Sequence, residues 1–305
     1  MLQEIVKQSG LFKIMVIKRM QINKIQYENF GECYECLHNG RKLVISSDFG
    51  PRILFFGFSG RKNIFYNDQS KTVGNEDTGW LIYGGHRLWP APETSASYQP
   101  DNSACTIKTS EDIFEISIIT GALKKTILIQ PQGDRFLITH KFSPCGEALI
   151  SGALWALTCV RPDCTVFFPW GTSGSWSLKK IIYWQKWIDH GSDINSSQYI
   201  RGNDLFLIKP SGEEGKVGTS GYEGFIGAVF SDCTFIKKFR FIEGALYPDE
   251  GCALECYTCS LFIELETLSP FCTMIPGHEY THTEEWILCE KIINPADGQA
   301  ARSLL

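Results

Sequence analysis

Two glutamates near the C-terminus stand in a pattern that can move protons. The stretch Phe262-Ile263-Glu264-Leu265-Glu266-Thr267-Leu268-Ser269-Pro270 alternates strictly, and side chains on a β-strand point to opposite faces with period two. Phe262, Glu264 and Glu266 therefore share one face, and Ile263, Leu265 and Thr267 share the other. The two carboxylates project side by side, about 7 Å apart along the strand at roughly 3.3 Å rise per residue. Like charges on one half-buried face raise each other's pKa, which is how a chain builds a proton-transfer base or acid. The alternative is a solvated polar face of an edge strand, the ordinary place for carboxylates.

A second cluster is Gly84-Gly85-His86-Arg87-Leu88-Trp89-Pro90-Ala91-Pro92-Glu93. Two glycines permit left-handed backbone angles, and two prolines two residues apart stiffen the exit and are expected to forbid a regular strand or helix there. A rigid loop presenting His86, Arg87, Trp89 and Glu93 is a binding-site construction. The alternative is a crossover loop whose Arg87 pairs with an acidic neighbour. A third cluster, His278, His282 and Glu284, falls on one face of an expected strand and holds zinc-ligand residue types. His278, however, sits in the Pro276-Gly277 turn, and residues four apart on a strand lie about 13 Å apart, too far for one ion. Neither a metal nor a cofactor is expected.

Pro276-Gly277 marks a turn, so the C-terminal region reads as a hairpin. The order Leu265-Glu266-Thr267, a proline, then Pro276-Gly277 and a strand holding Tyr280, Thr281 and Trp286 resembles the C-terminal part of aldose 1-epimerases. These belong to the galactose mutarotase-like superfamily. Gly85-His86-Arg87 with Trp89 and Pro90 is similar to the early loops of that superfamily. Leu154-Trp155-Ala156-Leu157-Thr158, Tyr247-Pro248-Asp249-Glu250-Gly251 and Glu255-Cys256-Tyr257-Thr258 extend the likeness over residues 40–290, closest to a poorly characterised branch.

The resemblance implies an all-β antiparallel supersandwich and a sugar isomerase of the aldose 1-epimerase type. In the family pattern the matching glutamate, here Glu266, takes the proton of the anomeric hydroxyl. Glu264 is an extra carboxylate beside it, and Arg87 is expected to hold sugar hydroxyls. The family also places an Asn-His pair in a mid-chain strand, whose His protonates the ring oxygen. The equivalent segment here, Gly152–Thr158, holds no His. His86 is then the expected acid, an imidazole being suited to proton transfer near neutral pH. Trp89 and Trp155, with Trp176, are the expected aromatic walls. Two other functions stay open: a non-catalytic carbohydrate-binding protein that has lost the strand His, and a polysaccharide lyase or hydrolase.

These groups must be positioned by strands. Residues 42–46, 53–58, 113–119, 125–129, 135–142, 153–158, 165–168, 205–208, 225–230 and 235–241 are short, β-branched or aromatic, and bounded by turn residues. No helix longer than about two turns is expected after residue 20, and Ile181–His190 reads as either a short helix or a strand. Regular turns without βα alternation predict an antiparallel sandwich. One domain is expected over 21–293, flanked by tails at 1–20 and 294–305.

Composition is compatible. In 305 residues the chain holds 20 Phe, 11 Tyr and 8 Trp, suited to sheet cores and to stacking on sugar rings. A net charge of −5 argues against a nucleic-acid partner, and no apolar run is long enough for a membrane span. A small sugar or sugar derivative is the expected partner. The 12 cysteines are scattered and several sit within apolar strands. They read as reduced thiols of a cytoplasmic protein, with a disulfide framework as the alternative.

Overall fold

The alternating runs pair, all antiparallel, into two large sheets in the computed structural model, which describes residues 5–8, 11–14, 19–171, 179–188 and 190–305. Trp176 lies outside the described residues. The first sheet runs in the order Ile182–Tyr183, Gly215–Thr219, Leu254–Thr258, Ile263–Leu268, Ile150–Val160, His86–Ala91, Arg52–Phe58, Arg41–Ser46, Glu32–His38, Gln21–Gln26, with Cys272–Met274 pairing off Ile150–Val160. The second runs Thr106–Ser110, Ile113–Thr120, Leu123–Gln132, Arg135–Pro144, Tyr280–Cys289, Thr234–Phe239, Phe225–Val229, Thr165–Pro169, Leu205–Ile208, Tyr199–Arg201. Ile5–Gln8 and Leu11–Ile14 pair with each other in a separate hairpin.

Apolar faces of the two sheets meet to form the main core, as period-two strands with one buried face require. Phe56 of the first sheet lies 5.3 Å from Trp286 and 5.5 Å from Phe235 of the second, ring to ring. A polar seam crosses this core. Lys237, in the second sheet, donates across to Ala156 O at 3.0 Å and Leu265 O at 2.8 Å, and pairs with Glu284 at 2.8 Å. All three ammonium donors are thereby used.

The expected strands are present, and two segments differ from their reading. His86–Ala91 is a strand inside the first sheet rather than a loop. Gly84 and Gly85 have φ of +84° and +67°, and a Cβ on either would stand 2.2 Å from a carbonyl oxygen, of Tyr66 and Ile53 respectively. They turn the chain into that strand. Pro90 is tolerated because the Arg52–Phe58 neighbour pairs only with His86 and Arg87, leaving that flank open where Pro90 lacks its amide. Ile181–His190 is neither a helix nor one continuous strand: it carries the short strands Ile182–Tyr183 and Lys186–Trp187. His190 then begins a third, His190–Gly191, which pairs with Lys186–Trp187.

Residues 294–305 include the helix Gly298–Arg302, capped by the Asp297 carboxylate on the Gln299 and Ala300 amides. Ala301 packs in a cluster with Phe167, Leu205, Leu207 and Ile287, and Arg302 pairs with Asp204 and Glu223. Deleting 294–305 is expected to expose that apolar surface and lower the thermal midpoint by several degrees, about 2–4 °C per kcal/mol lost. A melting curve unchanged by the deletion would show the packing to be without consequence. All 12 cysteines are free. No helix among the described residues is long and apolar enough to cross a membrane.

Candidate functional site

Alternation and register together build one polar patch on the outer face of the first sheet. Within His86–Ala91, Arg87 and Trp89 share a face that His86 and Leu88 do not. Arg87 stands opposite Leu157 and Trp89 opposite Trp155. Leu157 is flanked on its other side by Glu266, and Cys159 by Glu264. Glu266 then faces Glu255, and Glu264 faces Tyr257. Tyr257 faces Lys216 on the following strand. Five neighbouring strands thus deliver Arg87, Trp89, Trp155, Glu264, Glu266, Glu255, Tyr257 and Lys216 to one side.

Above this patch is a cavity of about 420 Å³, a size usual for small-ligand sites. Trp89, Trp155, Lys216, Tyr257 and Glu264 line it from the sheet. Trp80, Glu93, Tyr98, Trp187 and His190 line it from connecting segments. Trp80 stacks on Trp89 at 4.9 Å, with Tyr98 set edge-on to both. Glu93 accepts from Tyr98 Oη and Trp187 Nε1, each at 2.5 Å, and so ties the Trp187 hairpin to the cavity wall.

The floor carries two charge groups. Arg87 donates to Glu264 Oε1 at 2.7 Å, and its guanidinium lies 5.1 Å from the Trp89 ring centre. Glu264 is 7% exposed, and it lines the cavity directly. Glu266 is fully buried. Its Oε2 accepts from Trp155 Nε1 at 2.8 Å and from Lys216 Nζ at 2.9 Å, while its Oε1 has no partner. Lys216 also lies 2.9 Å from Glu255, an ion pair without hydrogen-bond geometry, which leaves both Glu255 oxygens without a hydrogen bond. Its ammonium sits 4.5 Å and 4.4 Å from the Trp155 and Trp187 ring centres.

Burial dominates the electrostatics. It pushes Glu266 up to about 7, with Glu264 adding to the rise and Lys216 opposing it. Burial, then the Glu266 and Asp249 charges, hold Glu255 well above the usual carboxylate range despite Lys216. For Lys216 burial works against the charge, but Glu255 and Glu266 outweigh it and raise the group. The arrangement is a cation between two buried carboxyls. The Trp80 and Trp89 indole N–H groups and Glu266 Oε1 are buried without partners. Buried polar atoms normally find a partner, and these three lack one beside the cavity.

The structure brings Arg87, Trp89, Trp155, Glu264 and Glu266 together, as the sequence pattern suggests. It does not bring His86. Being one residue from Arg87 on a strand, His86 points through the sheet into the interior and is 0% exposed. Its Nδ1 bonds Thr158 Oγ1 at 2.8 Å and its Nε2 bonds His140 Nε2 at 2.7 Å. Burial first, then His140 and nearby cations, hold it well below its ordinary pKa. The role of acid in the cavity therefore cannot fall to it without a change of structure.

His86, His140 and Glu284 place ligand-type atoms within 4.8 Å of one another. Their capacity is already used: the two imidazoles bond each other, and Lys237, Thr267 and Trp286 occupy Glu284. A dication there would also face the Lys237 ammonium, so the set does not fit a metal. The His278, His282 and Glu284 grouping is not assembled either, since His278 is exposed in its turn while His282 bonds Thr267 in the interior. Lys216, Trp187 and His190 were not legible as residues of the cavity. A lysine within Gly215-Lys216-Val217-Gly218 was the one available signal, a charge inside a strand of small and apolar residues.

No family model matches the chain, and no curated protein matches it. Solved structures do. A galactose mutarotase-like protein from Clostridium acetobutylicum superposes with a TM-score of 0.55 at 8% identity, over 90% of this chain and 99% of its own. A galactose mutarotase-like protein from Lactobacillus casei gives 0.53 at 10% identity, over 88% and 100%. A protein described as a candidate aldose 1-epimerase from Klebsiella pneumoniae gives 0.55 at 10% identity, over 95% and 89%. The chain has the galactose mutarotase-like fold. At such identities the likeness concerns the fold alone.

Proposed function

We propose that the protein binds a small sugar in this cavity and interconverts its anomers, an isomerase reaction of the aldose 1-epimerase type. The observation that carries the reading is Glu266, a buried carboxyl raised to about 7 with one oxygen fixed and the other unpartnered. A general base works best with a pKa near the working pH. The aromatic walls suit the apolar faces of a pyranose, and Glu264 with Arg87 suits its hydroxyls. Ring opening removes the anomeric proton to Glu266 while an acid protonates the ring oxygen; reclosure on the other face returns both protons. Lys216 must turn from Glu266 toward a sugar hydroxyl for the sugar to reach that carboxylate. The chemistry uses no cofactor.

Proton-exchange NMR on free aldoses and their phosphates tests the reading, because anomer interconversion appears as saturation transfer between the two anomeric signals. Exchange no faster with protein than in buffer would remove the isomerase function. Catalysed exchange is expected to rise with pH through about 7, because Glu266 must be ionised to act. A rate flat from pH 5 to 9 would remove Glu266 from the base role. A second reading, sugar binding without catalysis, is favoured by Trp155 in the segment where the family carries its histidine. A cavity of about 420 Å³, with Trp187 in its wall, is of a size that favours a free sugar over the polymer substrate of a lyase or hydrolase.

A further inference from the structure

Anomer interconversion needs an acid on the cavity side, and neither the Gly152–Thr158 segment nor His86 supplies one. We propose that His190, positioned by Glu214, is the group that protonates the ring oxygen; this inference rests on the isomerase reading above. Of the six histidines in the chain, His190 alone lines the cavity, together with Glu264, Lys216 and Tyr257. His86, His140 and His282 are buried between the sheets, His38 bonds Gly133 O elsewhere, and His278 is in its turn.

The local geometry is that of an oriented imidazole. His190 Nδ1 lies 2.6 Å from Glu214 Oε1. Glu214 is fixed in turn by the Tyr257 hydroxyl at 2.6 Å and the Gly191 amide at 3.2 Å. Although burial opposes its charge, the Tyr257, Gly191 and His190 contacts keep Glu214 below its ordinary range, hence ionised. A carboxylate on Nδ1–H sets the tautomer and the ring orientation, and it leaves Nε2 to act. No hydrogen bond from the described residues engages Nε2. The His190 ring meets the Tyr257 ring edge to face at 5.6 Å. His190 shares its hairpin with Trp187, whose ring contacts Lys216 over the cavity.

The step balances. Glu266 takes the proton from O1, the C1–O5 bond breaks as C1=O forms, and O5 takes the Nε2 proton of His190. After rotation about C1–C2 the reverse transfers close the ring, so no proton is gained or lost.

The test is anomer exchange of D-glucose, D-galactose and their 6-phosphates, with binding measured alongside. His190→Gln is expected to lower kcat at least about 100-fold, within the range general acids contribute, while sugar affinity stays within a few-fold. Added imidazole should restore part of the rate to His190→Gly. Glu214→Gln is expected to lower kcat about tenfold with KM little changed, as for a residue that positions the acid. His278→Gln, in the exposed turn, should match wild type. An active wild type whose His190→Gln variant keeps more than a third of the rate overturns His190 and leaves the isomerase reading intact. A wild type without exchange on any of the four sugars overturns both.

Discussion

Glu266→Gln is expected to abolish catalysed anomer exchange while leaving sugar affinity within about tenfold, roughly 1.4 kcal/mol. Glutamine retains the shape and an oxygen to accept from Trp155 and Lys216, but it cannot take a proton. Exchange that survives in Glu266→Gln and disappears in Glu264→Gln would place the base at Glu264, which lines the cavity directly. The same variant has a stability signature. Between the ordinary carboxylate value of 4.5 and about 7, the unfolded chain has released the Glu266 proton and the folded chain still holds it. The folded state binds more protons there, so stability falls as pH rises through this window, by about 3 kcal/mol for this group. Denaturant melts at pH 5 and pH 8 should show that contribution in wild type and its disappearance in Glu266→Gln. A pH slope identical in the two proteins would contradict the raised pKa.

Lys237→Ala is expected to be the most destabilising single change outside the cavity. It strands the fully buried Glu284 carboxylate and leaves Ala156 O and Leu265 O without their donor. Breaking a buried pair by removing one partner costs about 3–5 kcal/mol, a large part of the 5–15 kcal/mol typical of a native domain. Burial lowers the Lys237 ammonium from its ordinary range. Burial also opposes the Glu284 charge, but Lys237, His140 and His282 outweigh it and hold the carboxyl below its own range. The three acceptors around Nζ decide the balance in favour of the ion pair. Introducing Glu284→Gln into Lys237→Met should recover part of the loss, because neither buried charge then remains. A Lys237→Ala protein melting within about 1 kcal/mol of wild type would mean that the seam carries little of the inter-sheet stability.

How far the site can be read from the chain depends on the range of the interaction. Glu264 and Glu266 share a face by local alternation alone, and that face is the one the cavity uses. Arg87 was open to pairing with an acidic neighbour, and it does pair, with Glu264. Its partner lies 177 residues away, and only sheet order brings the two strands to either side of Ile150–Val160. His86 fails for a related reason. Read as part of a loop, it could share a site with Arg87; held in a strand, its neighbour's face is closed to it. Pro90 and Pro92, two residues apart, argue against a strand, and only the open flank beside Pro90 makes one possible.

Strand periodicity, an antiparallel two-sheet fold and the facing of the two carboxylates were therefore determined by the sequence itself, because each follows from the backbone's two-residue repeat and nearby turn residues. The tertiary structure alone decided that Lys216 stands between Glu266 and Glu255, that Glu214 orients His190 at the cavity, and that three histidines lie between the sheets. These depend on which strands become neighbours and in what register. A one-residue shift would move every side chain to the opposite face, and no local pattern specifies the partner.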